Sequence, residues 1–195
     1  LLYPAIRAIA KNADGMARAQ LAYTFTNLLT LEDVHALAPD ILARYQPGLM
    51  FREPTFCDAS YKVAGFAAPH RYLIFSANAR CLDEYSEHPE WGLCIWMTGS
   101  CFKVIGSLDR ESHTQVTLIE IPEPLVPLFA TEAVTSLEQQ LAAEACALFE
   151  EALVQPALPE LSTRIWLDRL TPPVGIDEQG NFFELLAGPT NGANT

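Results

Sequence analysis

Between Leu49 and Ile121 the chain runs through five short segments rich in β-branched and aromatic residues, and no other feature limits its folding more. Tyr61 to Phe66, Arg71 to Ala77, Trp91 to Thr98, Cys101 to Leu108 and Thr114 to Ile121 are separated by turn-forming residues, the pattern of consecutive strands. Gly99-Ser100 reads as a two-residue hairpin loop, because a leading Gly favours the primed turns that match strand twist. That register sets Trp96 opposite Lys103, Ile95 opposite Val104 and Cys94 opposite Ile105. Leu93, Ile95, Met97, Phe102 and Val104 then form an apolar face for the core. Trp96 and Lys103 share the other, mixed face and are placed for a cation–π contact.

After Pro122, Pro124 and Pro127 the period changes from two to 3.6. Val134, Leu137, Leu141, Ala145, Leu148 and Ala152 line one stripe of a helix over 131–154, wide enough to lie across a sheet. Pro156 and Pro159 end it. A further strand is expected over Thr163 to Leu170. A hairpin follows, Val174 to Ile176 with Asn181 to Leu185, turning at Asp177-Glu178-Gln179-Gly180. The first 45 residues read as three helices. Thr30-Leu31-Glu32-Asp33 resembles a capping box, and Leu31, Val34, Leu37, Ile41, Leu42 and Tyr45 recur at helical spacing.

The fold class expected is therefore α+β: an N-terminal three-helix unit, a central mostly antiparallel sheet, and a long helix packed on one face. The division expected is 1–47 for the helical unit, 48–186 for the α+β domain and 187–195 for a disordered tail, with one compact domain overall. At 195 residues, half of them hydrophobic, the chain can bury a core without metal or disulfides. No apolar run approaches the roughly 20 residues of a membrane span, and the N-terminus lacks the order of a signal peptide. Five cysteines at irregular spacing argue against a disulfide framework and for a reducing, cytoplasmic location.

Charge is unevenly spread. The net charge is −12; residues 1–110 hold 10 Lys/Arg and 11 Asp/Glu, residues 111–195 hold 2 and 13. The acidic half repels nucleic-acid phosphates and anionic membranes, and it would attract a basic protein. It also keeps the chain in solution, the plainer reading.

Candidate chemistry is sparse. Cys81, His88, Cys94 and Cys101 are spaced too widely for a structural zinc site, so no metal and no cofactor is expected. Cys81 is the best nucleophile by sequence, with Arg80 beside it and His88 downstream, but Asp83, Glu84, Glu87 and Glu90 disfavour a thiolate there. Asp109 and His113 bracket a turn that can present an acid–base pair or a merely charged β-turn. The 79–90 loop, with Glu84, Tyr85 and Glu87, is the best recognition surface, and Trp96 with Lys103 adds a second candidate. Two functions follow. One is a non-catalytic acidic interaction module, inhibitor- or immunity-like, for a basic partner. The alternative is a small-molecule-binding protein or enzyme with its site near the 79–90 loop and the 109–113 turn. A homo-oligomer is compatible with either.

Overall fold

A computed structural model describes residues 29–33, 39–170 and 173–185. Its strands are β1 (Leu29–Asp33), β2 (Met50–Glu53), β3 (Cys57–Ser60), β4 (His70–Ser76), β5 (Arg80–Cys81), β6 (Leu93–Trp96), β7 (Ser100–Arg110) and β8 (His113–Ile121). Helical segments are α1 (Pro39–Leu42), α2 (Val126–Phe129), α3 (Thr135–Val154) and α4 (Arg164–Arg169). The strands form one mixed sheet in the order β2-β7-β8-β4-β1-β3-β6-β5. Only β4 and β8 run parallel, and they occupy its middle. The α+β class holds.

β4 and β8 are buried along both faces, and their polar side chains Arg71, Ser76, Gln115, Thr117 and Glu120 are buried with the apolar ones. On one face Leu73, Phe75, Ile119 and Ile121 meet Leu137, Leu141 and Ala145 of α3. Each large side chain buried there contributes roughly 1.5–3 kcal/mol. On the other face Tyr72, Ile74, Phe102, Val104 and Leu118 share a core with Cys57, Ala59, Cys94 and Trp96 of β3 and β6. Two parts of one sheet thus enclose a common core, so the sheet folds over itself. The fold line is at β1, which pairs with β4 at five positions and with β3 only at Glu32–Ser60. A third cluster, Trp91, Leu93, Leu161, Trp166 and Leu170, seats α4 on the outside of β6.

Buried polar groups pin the helical layer. Arg71 Nε donates to Gln115 Oε1 (2.8 Å), and Gln115 Nε2 donates to the Ala145 carbonyl of α3 (3.0 Å). Lys103 Nζ donates to the Phe129 carbonyl (2.7 Å) and to Glu138 Oε1 (2.6 Å). Pairing removes the cost of burying these groups.

Four expectations change. β6 and β7 do not pair with each other. The turn exists, with Ser100 N donating to Met97 O and Gly99 at φ +85°, but β6 pairs with β3 and β7 with β2 and β8. The two strands lie in the layers on either side of one core, so the turn bridges layers and sets no register. Trp96 and Lys103 therefore make no cation–π contact: Trp96 Nε1 donates to Ser76 Oγ (3.0 Å), and Lys103 faces α3. Met97 is 60% exposed, and Cys94 and Trp96 point inward in its stead. Second, Leu29–Asp33 is a strand and not a capped helix start, because β4 supplies its hydrogen bonds along five residue pairs. Among the described residues of 1–47 the only helix is short α1, beside strand β1; residues 1–28 and 34–38 lie outside them, as does the 187–195 tail. Third, Tyr61 to Phe66 is a loop with one bridge, Gly65 to Ala157. Fourth, Thr163 caps a helix through Trp166 N where a strand was expected, and Trp166 buries its ring. The 174–185 hairpin turns where its sequence indicates, with Asp177 N donating to Asn181 O.

Candidate functional site

The 79–90 loop is built from its entry. Glu120, buried in β8, accepts from Ser76 Oγ, Ala77 N (3.1 Å), Asn78 N (2.9 Å) and Asn78 Nδ2 (3.1 Å). That carboxylate turns the chain out of β4 and into β5. There Cys81 lies opposite Cys94 of β6, and their Sγ atoms are 2.8 Å apart. The return leg ends in a 3₁₀ turn, Pro89–Trp91, closed by Gly92 at φ +61°. His88 stacks on Trp91 at 4.1 Å, and its Nδ1 lies 2.9 Å from Glu90 Oε1. Glu90's own backbone N–H, and then His88, hold its carboxyl below the usual carboxylate range. Tyr61 OH donates to Asp83 Oδ2 (2.8 Å), which pushes the phenol above its ordinary value. Tyr85 is 83% exposed, and Glu84 and Glu87 are exposed beside it.

The 109–113 turn is elsewhere. It joins β7 to β8, with Asp109 Oδ1 accepting from Thr114 Oγ1 (3.1 Å) and Glu111 at φ +57°. His113 packs on Phe66 at 4.6 Å. His70, Asp109 and Glu111 line a shallow recess of about 360 Å³. Three strands, β4, β1 and β3, separate β8 from β6. Cys81 and His88 thus belong to one region, and Asp109 and His113 to another. They make no joint acid–base set. Among the described residues no group of three or more His, Cys, Asp and Glu is placed to hold a metal ion.

A further concavity was not visible in the sequence. It is a groove of about 730 Å³ between the β2–β3 loop and the segment after α4. Cys57, Leu170, Val174 and Ile176 form its apolar floor, and Phe56 and Phe183 stand exposed at its edges. Among the described residues Glu53, Asp58, Asp177 and Glu178 line it with one cation, Arg169, and Arg44 stands beside the 177–180 turn. Arg169 is already ion-paired to Asp58. Glu53 accepts from Thr55 N (2.8 Å) and Gly175 N (2.6 Å), which fastens the C-terminal segment onto β2. Asp177 accepts from Asn181 N (2.7 Å) and Gln179 N (3.0 Å), and these bonds hold its carboxyl below the usual range. The hairpin signal at 174–185 was legible; nothing in the sequence indicated that it folds back on residues 50–58. From the groove rim, the Arg169 guanidinium lies 6.0 Å from the Trp91 ring, and Trp91 carries His88. A ladder of three side chains thus joins the groove to the 79–90 loop.

Part of the acidic half is engaged within the fold. Arg52–Glu123 (3.1 Å), Lys62–Glu160 (3.6 Å), Lys103–Glu138 (2.6 Å) and Arg110–Glu150 (2.5 Å) each tie a cation of residues 1–110 to an acid of residues 111–195.

No protein-family model and no characterised protein sequence matches the chain. Solved structures do resemble it. The type III effector XopAI of Xanthomonas axonopodis pv. citri is 17% identical, with a TM-score of 0.44 over 54% of this chain and 49% of that one. The ADP-ribosyltransferase HopU1 of Pseudomonas syringae pv. tomato is 15% identical, with a TM-score of 0.44 over 48% and 46%. The ADP-ribosyltransferase Vis is 12% identical, with a TM-score of 0.42 over 64% and 69%. The chain spans about half the length of the first two. The expectation of a non-catalytic, inhibitor- or immunity-like protein-interaction module is corrected here. Four of the thirteen acids that motivated that expectation are paired within the fold to cations of residues 1–110.

Proposed function

We propose that the chain is a small-molecule-binding protein or enzyme, and that its groove takes a cationic ligand with a short apolar body. One observation carries this reading: a concavity of ligand size, apolar at its floor, with four carboxylates against one arginine that is already engaged. A guanidinium or ammonium group satisfies that surplus, and the floor and Phe56 cover a hydrocarbon stem. A phosphate-bearing ligand meets net repulsion there. The Arg169–Trp91–His88 ladder extends the site towards the 79–90 loop, one of the two places that the alternative reading of the sequence named; the other, the 109–113 turn, lies apart. The cytoplasmic location is part of the same proposal, supported by five cysteines without a bridge among them.

Calorimetric titration with agmatine, a lysine-rich peptide and NAD tests this. Agmatine is expected to bind with saturation. Glu178→Lys, at an exposed position, is expected to weaken it about tenfold, equivalent to about 1.4 kcal/mol. Peptide binding without agmatine binding would assign the cation to a protein side chain in place of a small molecule. Binding of NAD alone, or an unchanged affinity in Glu178→Lys, would reject the groove as a cation site. Nicotinamide release from NAD with agmatine present separates a transferase from a binding protein.

A further inference from the structure

We propose that Cys81 and Cys94 are a reversible redox pair, closing to a cross-strand disulfide that ties the 82–93 loop to the sheet. The backbone sets this up. Leu82 N donates to Leu93 O (2.8 Å), which makes 82–93 a hydrogen-bonded pair of the β5/β6 ladder. The adjacent pair, Cys81 and Cys94, is then the non-hydrogen-bonded one, where Cα atoms approach to about 4.5 Å and side chains are closest. That separation lies within the span a disulfide bridges. The two Sγ atoms at 2.8 Å are nearer than ordinary contact between sulfur atoms, and both are reduced in this structure. β5 is two residues long and exposed at the edge of the sheet, so it can shift the remaining distance with little else moving.

The two thiols differ in access, which orders the chemistry. Cys81 is exposed; Cys94 is wholly buried, and burial pushes its thiol well above the ordinary value. With a low-molecular-weight disulfide such as oxidised glutathione as oxidant, the Cys81 thiolate attacks one of its sulfurs. A Cys81–glutathione mixed disulfide forms, and one glutathione thiolate leaves. Cys94 then gives up its proton and attacks the Cys81 sulfur, expelling the second glutathione thiolate. The protein loses two hydrogens as one disulfide forms, and the oxidant is reduced to two molecules of glutathione. The loop so closed carries Asp83, His88 and Trp91, so oxidation restrains the ladder that reaches the groove. The proposal does not depend on what the groove binds.

The test equilibrates the full chain in glutathione redox buffers, traps thiols by alkylation and maps peptides by mass. One intramolecular 81–94 linkage is expected, reversed by reduced glutathione. Amides of 82–88 are expected to exchange at least about tenfold more slowly in the oxidised form, since closing a loop removes open states. Cys94→Ala should accumulate the glutathione adduct at Cys81, and Cys81→Ser should form neither adduct nor bridge. Predominant linkage to Cys57, Cys101 or Cys146, dimers through Cys81, or a mixed disulfide persisting in the wild type would each overturn the proposal. If Cys94→Ala fails to fold, the exposed Cys81→Ser variant and the wild-type map still decide it.

Discussion

Lys103 allows the pairing of β7 to be tested by energetics alone. Its Nζ lies 2.6 Å from Glu138 Oε1 and donates to the Phe129 carbonyl, with side chains 10% and 20% exposed. At an effective dielectric of about 20, charges that close attract by about 6 kcal/mol, most of it offset by desolvation. Lys103→Met removes the cation and leaves the mostly buried Glu138 carboxylate without it, a cost of about 3 kcal/mol. Glu138→Leu leaves the ammonium with one partner fewer, at about 2 kcal/mol. The double variant exchanges the pair for apolar contact and should cost about 3 kcal/mol, not the sum of the two, giving a coupling of about 2 kcal/mol. Urea unfolding of the four proteins measures this. A parallel cycle pairs Lys103→Met with Trp96→Phe. Here the effects should add within about 0.5 kcal/mol, because Trp96 is bonded to Ser76 on the other side of the sheet. Additivity for Lys103 with Glu138, joined to a coupling above about 1 kcal/mol for Lys103 with Trp96, would refute the layered arrangement and restore a β6–β7 hairpin.

Three further outcomes follow from the same geometry. Gly175→Ala should destabilise by about 3 kcal/mol and expose 173–185 to proteolysis, since Gly175 sits at φ +73° and a Cβ there would fall 2.1 Å from the Phe51 ring; unchanged protease resistance would count against the docking of this segment. Glu120→Ala should cost about 3 kcal/mol in urea unfolding, because it strands the amides of Ala77 and Asn78, and should raise the exchange of 77–81 specifically. Asp177 has a lowered folded-state pKa, so its contribution is complete above the ordinary carboxylate range and is lost as pH falls below it through the folded value. Amide exchange at Gln179 and Asn181 should therefore accelerate only in acid below that range, and acceleration nearer neutrality would show that other groups hold the turn.

What the sequence revealed follows the range of the forces involved. The α3 stripe, with Leu137, Leu141 and Ala145, and the long strands β4, β7 and β8 carry their period locally, and they were legible. Met50–Glu53 and Cys57–Ser60 were not, because four residues such as Cys-Asp-Ala-Ser have no β signature of their own. They become strands only when β7 and β6 offer hydrogen bonds. Leu29–Asp33 shows the converse, a local capping pattern overridden by pairing with β4. For the site, the sequence grouped Cys81 and His88 with Asp109 and His113, and the sheet order that separates the two pairs had no local signal. The groove was hidden because its defining contacts, Asp58 with Arg169 and Glu53 with Gly175, span more than 100 residues.

The charge asymmetry takes a different meaning once those distances close. A half-chain with a net −11 should repel itself, yet four of its acids meet the cations of the other half. Two of these pairs, Arg52–Glu123 and Arg110–Glu150, are substantially exposed and Lys62–Glu160 is partly so, each worth about 1 kcal/mol or less, so they orient the halves more than they stabilise them. The fourth, Lys103–Glu138, is shielded and fixes α3 over β7. The consequence is selective: pairing engages Glu138 and Glu150 of α3, while Glu178 stays on the groove and Asp177 has Arg44 nearby. Carboxylates thereby remain along a concave surface, where a field acts on a small cation more strongly than on a flat face. A uniformly acidic face would have favoured a broad basic partner, and the folded chain leaves a narrow site in its stead.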